Sequence, residues 1–386
     1  MTLSNLAFFI VAGLACASTA YHALCLAGGA SFFQLSRRER SAPKSYLPSV
    51  SIIKPVRGAD ETSYECFASF CRQDYPDFEV IFAVQQMDDP ALPIIERLQS
   101  EYPSQKIEWV CGPAIGPNAK MSNVFHGVAR ARHEIIVLSD ADIRVGADYL
   151  KTVIAPLASP TTGMTTCLYR AVSANGVPSA LEGIGLTGEF ALGVLAARLS
   201  EGVGFAFGST IATRKSVIEE IGGIAPIAKY LADDYILGDL TRKMGYDVRL
   251  SSYVVETVVP AYTFREFLSH QSRWSQNIRQ VRPGGHAGLI FTFSTVWAAL
   301  LTAAFPYNRL ALEIALVTIL MRMFAAWAIG GFLLNDGVLR RNFWLLPVRD
   351  VIGAGVWLAS HLQNTVEWRN KRYRLGKKGA LIPYDN

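Results

Sequence analysis

Ile135-Ile136-Val137-Leu138-Ser139-Asp140-Ala141-Asp142 is the stretch on which the fold turns. A short run of branched and long apolar side chains reads as a strand, and two carboxylates end it. Alternate residues of an extended chain share a face, so Asp140 and Asp142 are expected to project the same way. Two hard oxygen ligands so placed suit Mg²⁺ or Mn²⁺ held through a diphosphate.

Working outward, further strands are predicted over 50–54, 78–84, 107–111 and 164–169, with helices over 91–102 and 122–132 between them. Strands alternating with helices define βα units and a mostly parallel, Rossmann-like sheet. In such sheets functional groups collect beyond the carboxyl ends of the strands. Asp89 falls a few residues past 78–84 and the Asp140/Asp142 pair ends its own strand, so both acidic sites can face one crevice. With Asp88-Asp89 and Asp233-Asp234 the chain carries an ordered series of three acidic sites.

Composition sets this layer in a membrane protein. Of 386 residues 51% are hydrophobic and only 18% charged, oilier than an ordinary soluble enzyme. Residues 3–33 contain no Lys, Arg, Asp or Glu, more than the roughly 20 apolar residues that cross a bilayer. Ala15-Cys16-Ala17 resembles a signal-peptidase site, but no positive charge precedes the run and it is too long for a signal peptide. Arg37, Arg38, Arg40 and Lys44 follow against Glu39 alone, which puts the middle of the chain in the cytosol. After Pro283, residues 286–305 and 310–334 form a predicted transmembrane hairpin broken at Pro306-Tyr307-Asn308, with Glu313 and Arg322 inside the second run. Residues 343–362 are a weaker third span, interrupted by Pro347, Arg349 and Asp350, that is either crossing, re-entrant or interfacial. The glycine-rich, apolar 183–208 suits the membrane interface, a cap over a lipid-sized groove, or a core helix.

The net charge of +5 is spread out, with concentrations at 37–44 and at Arg369-Asn370-Lys371-Arg372-Tyr373-Arg374 through Lys378. Such clusters beside apolar segments match anionic headgroups, and no nucleic-acid motif is present. The six cysteines form no CxxC pair and have no histidine at zinc spacing, as expected of buried thiols in a reducing compartment.

Lys54, at the end of the first strand, and Lys120, in Gly116-Pro117-Asn118-Ala119-Lys120-Met121-Ser122-Asn123, are suited to a nucleotide's base edge or phosphates. Tyr230-Leu231-Ala232-Asp233-Asp234-Tyr235 sets adjacent acids before a helical 237–244, where they either complement the helix dipole or serve chemistry. A general base must take the proton of an attacking hydroxyl, and Asp234 is the candidate. A helix over 264–282 carries Arg265, Arg273, Arg279 and Arg282 with Phe264, Phe267 and Trp274. It is either an amphipathic surface helix or the carrier of Arg273, whose fork of donors suits a diphosphate, and of Trp274 as a stacking wall.

The order Lys54-Pro55, Asp89, Lys120, Asp140, Asp234, Arg273-Trp274, between one N-terminal span and a C-terminal hairpin, resembles the ceramide glucosyltransferase family, glycosyltransferase family 21. It is also similar to bacterial hopanoid-biosynthesis glycosyltransferases, and Trp368 and Arg372-Tyr373-Arg374-Leu375 extend the likeness to the tail. The resemblance implies a GT-A fold and an inverting transfer from a UDP-sugar to a lipid hydroxyl on the cytosolic face, in a bacterial inner membrane. It assigns nucleotide contact to Asp89, the metal and donor site to Asp140, and the base to Asp234. His270 stands where the Q/R-x-x-R-W motif has Gln or Arg, and Asp142 makes a fuller DxD than the family's animal members have.

The resulting organisation is a membrane helix over 1–33, a basic linker over 34–48 and a GT-A domain over 49–262. An interfacial helix over 263–283, two to three membrane helices over 284–362 and a basic tail over 363–386 complete it. A processive polysaccharide synthase is the nearest rival but needs more spans for export. A transporter or scaffold would leave the ordered acids unexplained.

Overall fold

The computed structural model describes residues 2–41, 44–368 and 371–384; Arg369 and Asn370 of the basic cluster and residues 42–43 of the linker lie outside them. The chain divides into two compact units. One comprises residues 35–169, 203–258 and 376–386, the other residues 1–34, 170–202 and 259–375.

The first unit is built on one eight-stranded sheet. Its strands are β1 (Val50–Pro55), β2 (Phe78–Val84), β3 (Lys106–Cys111), β4 (Ile135–Leu138), β5 (Ile143–Arg144), β6 (Thr162–Ser173), β7 (Ile211–Arg214) and β8 (Asp247–Val258), in the order β3-β2-β1-β4-β7-β6-β8-β5. β1 pairs parallel with β2 and β4, and β2 parallel with β3. Every residue of β1, β2 and β4 is buried, as strands covered on both faces must be. The helix Ala119–Arg130 covers one face, where Met121, Val124 and Val128 meet Ile53, Ile81 and Ile136. The helices Ser63–Cys71 and Leu92–Glu101 cover the other through Phe67, Phe70, Ile95 and Leu98 against Val80 and Phe82.

The βα pattern holds for this half of the sheet. The strand predicted over 164–169 departs from it, because β6 pairs antiparallel with β7, which itself runs antiparallel to β4. β5 and β8 are antiparallel as well. The reversal at β4/β7 brings the turn before β7 to the carboxyl end of β4, where Asp140 sits.

The second unit gathers the apolar helices. By length and composition four helices among the described residues suffice to cross a membrane: Leu3–Ser41, Val177–Ser200, Arg309–Leu333 and Phe343–Ser360. The predicted span over 286–305 is not one straight helix, since Pro283–Thr292 and Ser294–Ala304 are bent by 50° at Phe293. Val177–Ser200, containing a π-helical turn over Leu186–Phe190, is buried over most of its apolar stretch, which fits the core alternative for 183–208. Arg349 and Asp350 do not interrupt the last span, because both are buried and paired. Arg349 Nε lies 3.1 Å from Glu189 and Arg322 Nη2 2.8 Å from Asp350. Charges within apolar helices are tolerated when buried and paired with one another, as these are.

Candidate active site

The site forms where β4 ends. Asp140 N–H donates to the Gly208 carbonyl at 3.2 Å, and Gly208 N–H donates to Asp234 Oδ2 at 2.9 Å. Gly208 lies in the tight turn 207–210 that leads into β7, closed by Thr210 N–H on the Phe207 carbonyl. One glycine therefore ties the acid that ends β4 to the acid that opens the helix Asp233–Lys243. A Cβ there would lie 2.6 Å from Asp140 Oδ2 and 2.7 Å from Lys120 Nζ, so any larger residue would push these two side chains aside.

Lys120 is brought in by the first turn of the helix Ala119–Arg130. Asn118 caps that helix by accepting from Met121 N–H, and its amide donates to the Tyr230 carbonyl and to Asp233. Lys120 Nζ sits 2.7 Å from Asp140 Oδ1 and 3.1 Å from Asp233 Oδ2. Burial disfavours its charge, but Asp140, Asp233 and Asp234 outweigh that and raise its pKa. Burial also raises Asp140, against the pull of Lys120. Asp234 is raised to about 6, by burial first and then by Asp233, while Lys120 and the amides of Tyr235 and Gly208 pull it down.

Lys54, at the end of β1, points inward. It is fully buried, its ammonium 3.7 Å from the centre of the Phe70 ring and donating to the Asp140 carbonyl at 2.8 Å. Burial lowers its pKa to about 8. Its bond to the Asp140 carbonyl braces the backbone of the acidic turn.

Asp89 is 5% exposed, and its carboxylate accepts from the N–H of Gly58 (2.9 and 3.1 Å) and of Ala91 (2.9 Å). No described residue joins it by hydrogen bond or ion pair to Lys54, Lys120, Asp140 or Asp234. It pins the loop after β1, where Gly58 takes a left-handed φ of +71°.

Asp140 and Asp142 do not alternate along a strand. Ile143 N–H donates to the Asp140 carbonyl, closing a turn, and Asp142 projects to the surface with Oδ2 accepting from Thr257 at 2.8 Å. Asp140 Oδ2 and Asp142 Oδ1 accept no hydrogen bond from a described residue. No group of three acidic, histidine or cysteine side chains forms a metal cage among the described residues.

Arg273 and Trp274 lie in the second unit on the helix Phe264–Val281, which opens with a Thr263–Glu266 capping box. Trp274 meets Phe190 edge-on at 6.3 Å and the His270 ring at 5.2 Å. No described residue forms a hydrogen bond or ion pair with the Arg273 guanidinium, and burial lowers its pKa. Residues passed over in the sequence are Asn118, Gly208 and Glu182. Asn118 is legible as an N-cap after Pro117; a glycine placed for close approach and an acid in an apolar helix carry no sequence signal of their partners.

A half-parallel sheet with acids and a lysine converging beyond β4 is the architecture of a GT-A glycosyltransferase. A mannosyltransferase from Pyrobaculum calidifontis, solved in complex with GDP-Man and Mn²⁺, superposes with a TM-score of 0.54 at 20% identity, covering 91% of this chain and 98% of that one, and shows the shared fold. Ceramide glucosyltransferase 3 of Caenorhabditis elegans is 26% identical over 88% of this chain and 75% of its own length. Ceramide glucosyltransferase 1 of the same organism is 23% identical over 91% and 77%. The profile of glycosyl transferase family 21 matches residues 8–381, and the chain belongs to that family. It is a sugar-nucleotide-dependent hexosyltransferase with several membrane-length apolar helices.

Proposed function

We propose that this enzyme moves a hexose from a UDP-sugar to the hydroxyl of a membrane lipid on the cytosolic face, with inversion at C1. The acceptor is ceramide-like or a hopanoid polyol. The observation that carries the reading is the convergence of Asp140, Lys120 and Asp234 on Gly208. Similarity to the ceramide glucosyltransferases supports the lipid acceptor.

Asp234 takes the proton of the acceptor hydroxyl. The freed oxygen bonds to C1 from the face opposite the diphosphate, and the C1–oxygen bond to UDP breaks with its electron pair leaving on the diphosphate. A base raised to about 6 is ionised at neutral pH yet closer to a hydroxyl in proton affinity than an ordinary carboxylate. Lys120 holds Asp140 in place and adds positive charge beside the departing phosphates. Lys54 fixes the turn through the Asp140 carbonyl, and Asp89 shapes the loop expected to meet the nucleotide. Arg273 supplies a guanidinium to the diphosphate and Trp274 a stacking wall.

The donor set suits Mg²⁺ or Mn²⁺. Asp140 and Asp142 each keep one carboxylate oxygen uncommitted, and such ions are commonly held by one or two carboxylates with substrate phosphates and water. When bound there, a divalent cation supplies charge neutralisation for the leaving diphosphate.

The test is transfer of labelled sugar to lipid in membranes carrying Asp234→Asn. A loss of about 10²- to 10⁴-fold in kcat is expected for a missing general base, with UDP affinity retained. Transfer at the wild-type rate would remove Asp234 from the reaction.

A further inference from the structure

We infer that Glu182 is a positioning residue for donor binding, acting through His270 and Gln271 on the helix that carries Arg273 and Trp274. This rests on the reading of Arg273 as a diphosphate ligand.

Glu182 is an anomaly in the sequence. It sits in the apolar helix Val177–Ser200, is 4% exposed, and has no role in the chemistry above. Both its oxygens are committed to a single neighbouring helix. Oε1 accepts from His270 Nδ1 at 3.0 Å and Oε2 from Gln271 Nε2 at 2.7 Å. An ionised carboxylate only accepts, so the pairing fixes the imidazole tautomer with its proton on Nδ1.

The bond pair is one side of a larger clamp. Gln271 Oε1 accepts from Arg349 Nη2 at 2.6 Å, and the Arg349 guanidinium is ion-paired with Glu189, its Nε 3.1 Å away but not hydrogen-bonded. Glu189 lies about two turns after Glu182 on the same helix, so both ends of the clamp are anchored there. Arg349 belongs to the helix Leu346–Ser360, and Gly185 permits its approach, since a Cβ there would lie 2.8 Å from Nη2. Immediately after Glu189 the same helix presents Phe190 to Trp274. His270 also faces Trp274 directly at 5.2 Å and stacks on Tyr262 at 5.8 Å.

The arrangement shows how histidine can stand where the motif has Gln or Arg: like them it supplies an N–H, here aimed at Glu182. It also sets the rotation of the helix one turn before Arg273-Trp274. An amide in place of Glu182 cannot satisfy both donors. If Gln271 turned its own amide to compensate, it would point an N–H at Arg349, which has only donors.

The experiment measures KM for the UDP-sugar, kcat and thermal unfolding in detergent for full-length Glu182→Gln, Arg273→Ala and the double variant. KM is expected to rise about tenfold in Glu182→Gln, more than kcat falls, as for displacement of a bound-substrate contact without loss of the reacting groups. The double variant should be no worse than Arg273→Ala, because the two act on one contact. His270→Gln, which keeps an N–H toward Glu182, should raise KM less than His270→Leu. An unchanged KM in Glu182→Gln with only a lower unfolding temperature would make its role structural and overturn the proposal. Multiplying losses in the double variant would overturn it too. An unchanged KM in Arg273→Ala would overturn the diphosphate assignment and this inference together, whereas a raised KM there with Glu182→Gln unaffected overturns this inference alone.

Discussion

Gly208→Ala is the smallest change that reaches all the groups at the end of β4. The added Cβ would lie 2.6 Å from Asp140 Oδ2, where ordinary contact begins at 3.4 Å, so the carboxylate must retreat about 0.8 Å (3.4 less 2.6). Lys120 Nζ, at 2.7 Å, must retreat about 0.7 Å (3.4 less 2.7). Both atoms end flexible side chains, and Gly208 is not among the positive-φ glycines, so the backbone carries no strain and folding should survive. Lys120 and Asp140 are paired at 2.7 Å and Lys120 is tied to Asp233 as well, so relief on one side disturbs the other. Misplacing reacting groups by about 1 Å costs on the order of 10²-fold in rate, or about 2.7 kcal/mol in barrier. Initial rates of labelled transfer in detergent should fall by that order while the unfolding temperature moves by only a few degrees. A Gly208→Ala enzyme with unchanged kcat/KM and unchanged stability would show that the Asp140–Lys120 geometry does not matter to transfer.

The pH profile should rise through about 6, because Asp234 must lose its proton to act and its raised pKa keeps it protonated below that point. At pH 5 kcat should be about tenfold below its plateau, and the limb should vanish from the residual rate of Asp234→Asn. Excess EDTA should abolish transfer, and Mn²⁺ or Mg²⁺ should restore it; full activity in the chelator would remove the metal from the reading. Arg322→Leu or Asp350→Leu should each lower stability by about 3–5 kcal/mol, since either leaves a buried charge alone, whereas the double variant should recover most of the loss in detergent melts.

What the sequence revealed follows from how locally each feature is encoded. β1, β2 and β4 are runs of β-branched residues between turns, and their burial on both faces makes the pattern plain. The antiparallel half was obscure because β7 is four residues long and β6 changes from buried to half-buried along its length, so neither announces its partner. The burial of Lys54 is not legible in the sequence, because the Phe70 ring and the Asp140 carbonyl that make it tolerable are distant in the chain. Arg349 and Asp350 weakened the last apolar run for the same reason, their partners Glu189 and Arg322 being far away in the chain.

The charges gathered at β4 bear on how a nucleotide sugar enters. Asp140, Asp142, Asp233 and Asp234 supply four negative charges when ionised, and Lys54 and Lys120 supply two positive ones. The cluster is thus left with a formal charge of about −2, and a donor diphosphate brings a similar charge of its own. Like charges in a partly buried site repel more strongly than in water, so a bare diphosphate is a poor ligand for these residues. Lys120, shared between Asp140 and Asp233, is already counted in that balance. The balance favours a diphosphate that arrives with a divalent cation. It also gives the acids different roles. Asp140 and Asp142 retain open oxygens, Asp233 is spent on Lys120 and Asn118, and Asp234 is left with a raised proton affinity. The two adjacent acids that look interchangeable in the sequence are therefore expected to respond differently, Asp233→Asn loosening Lys120 and Asp234→Asn stopping proton removal.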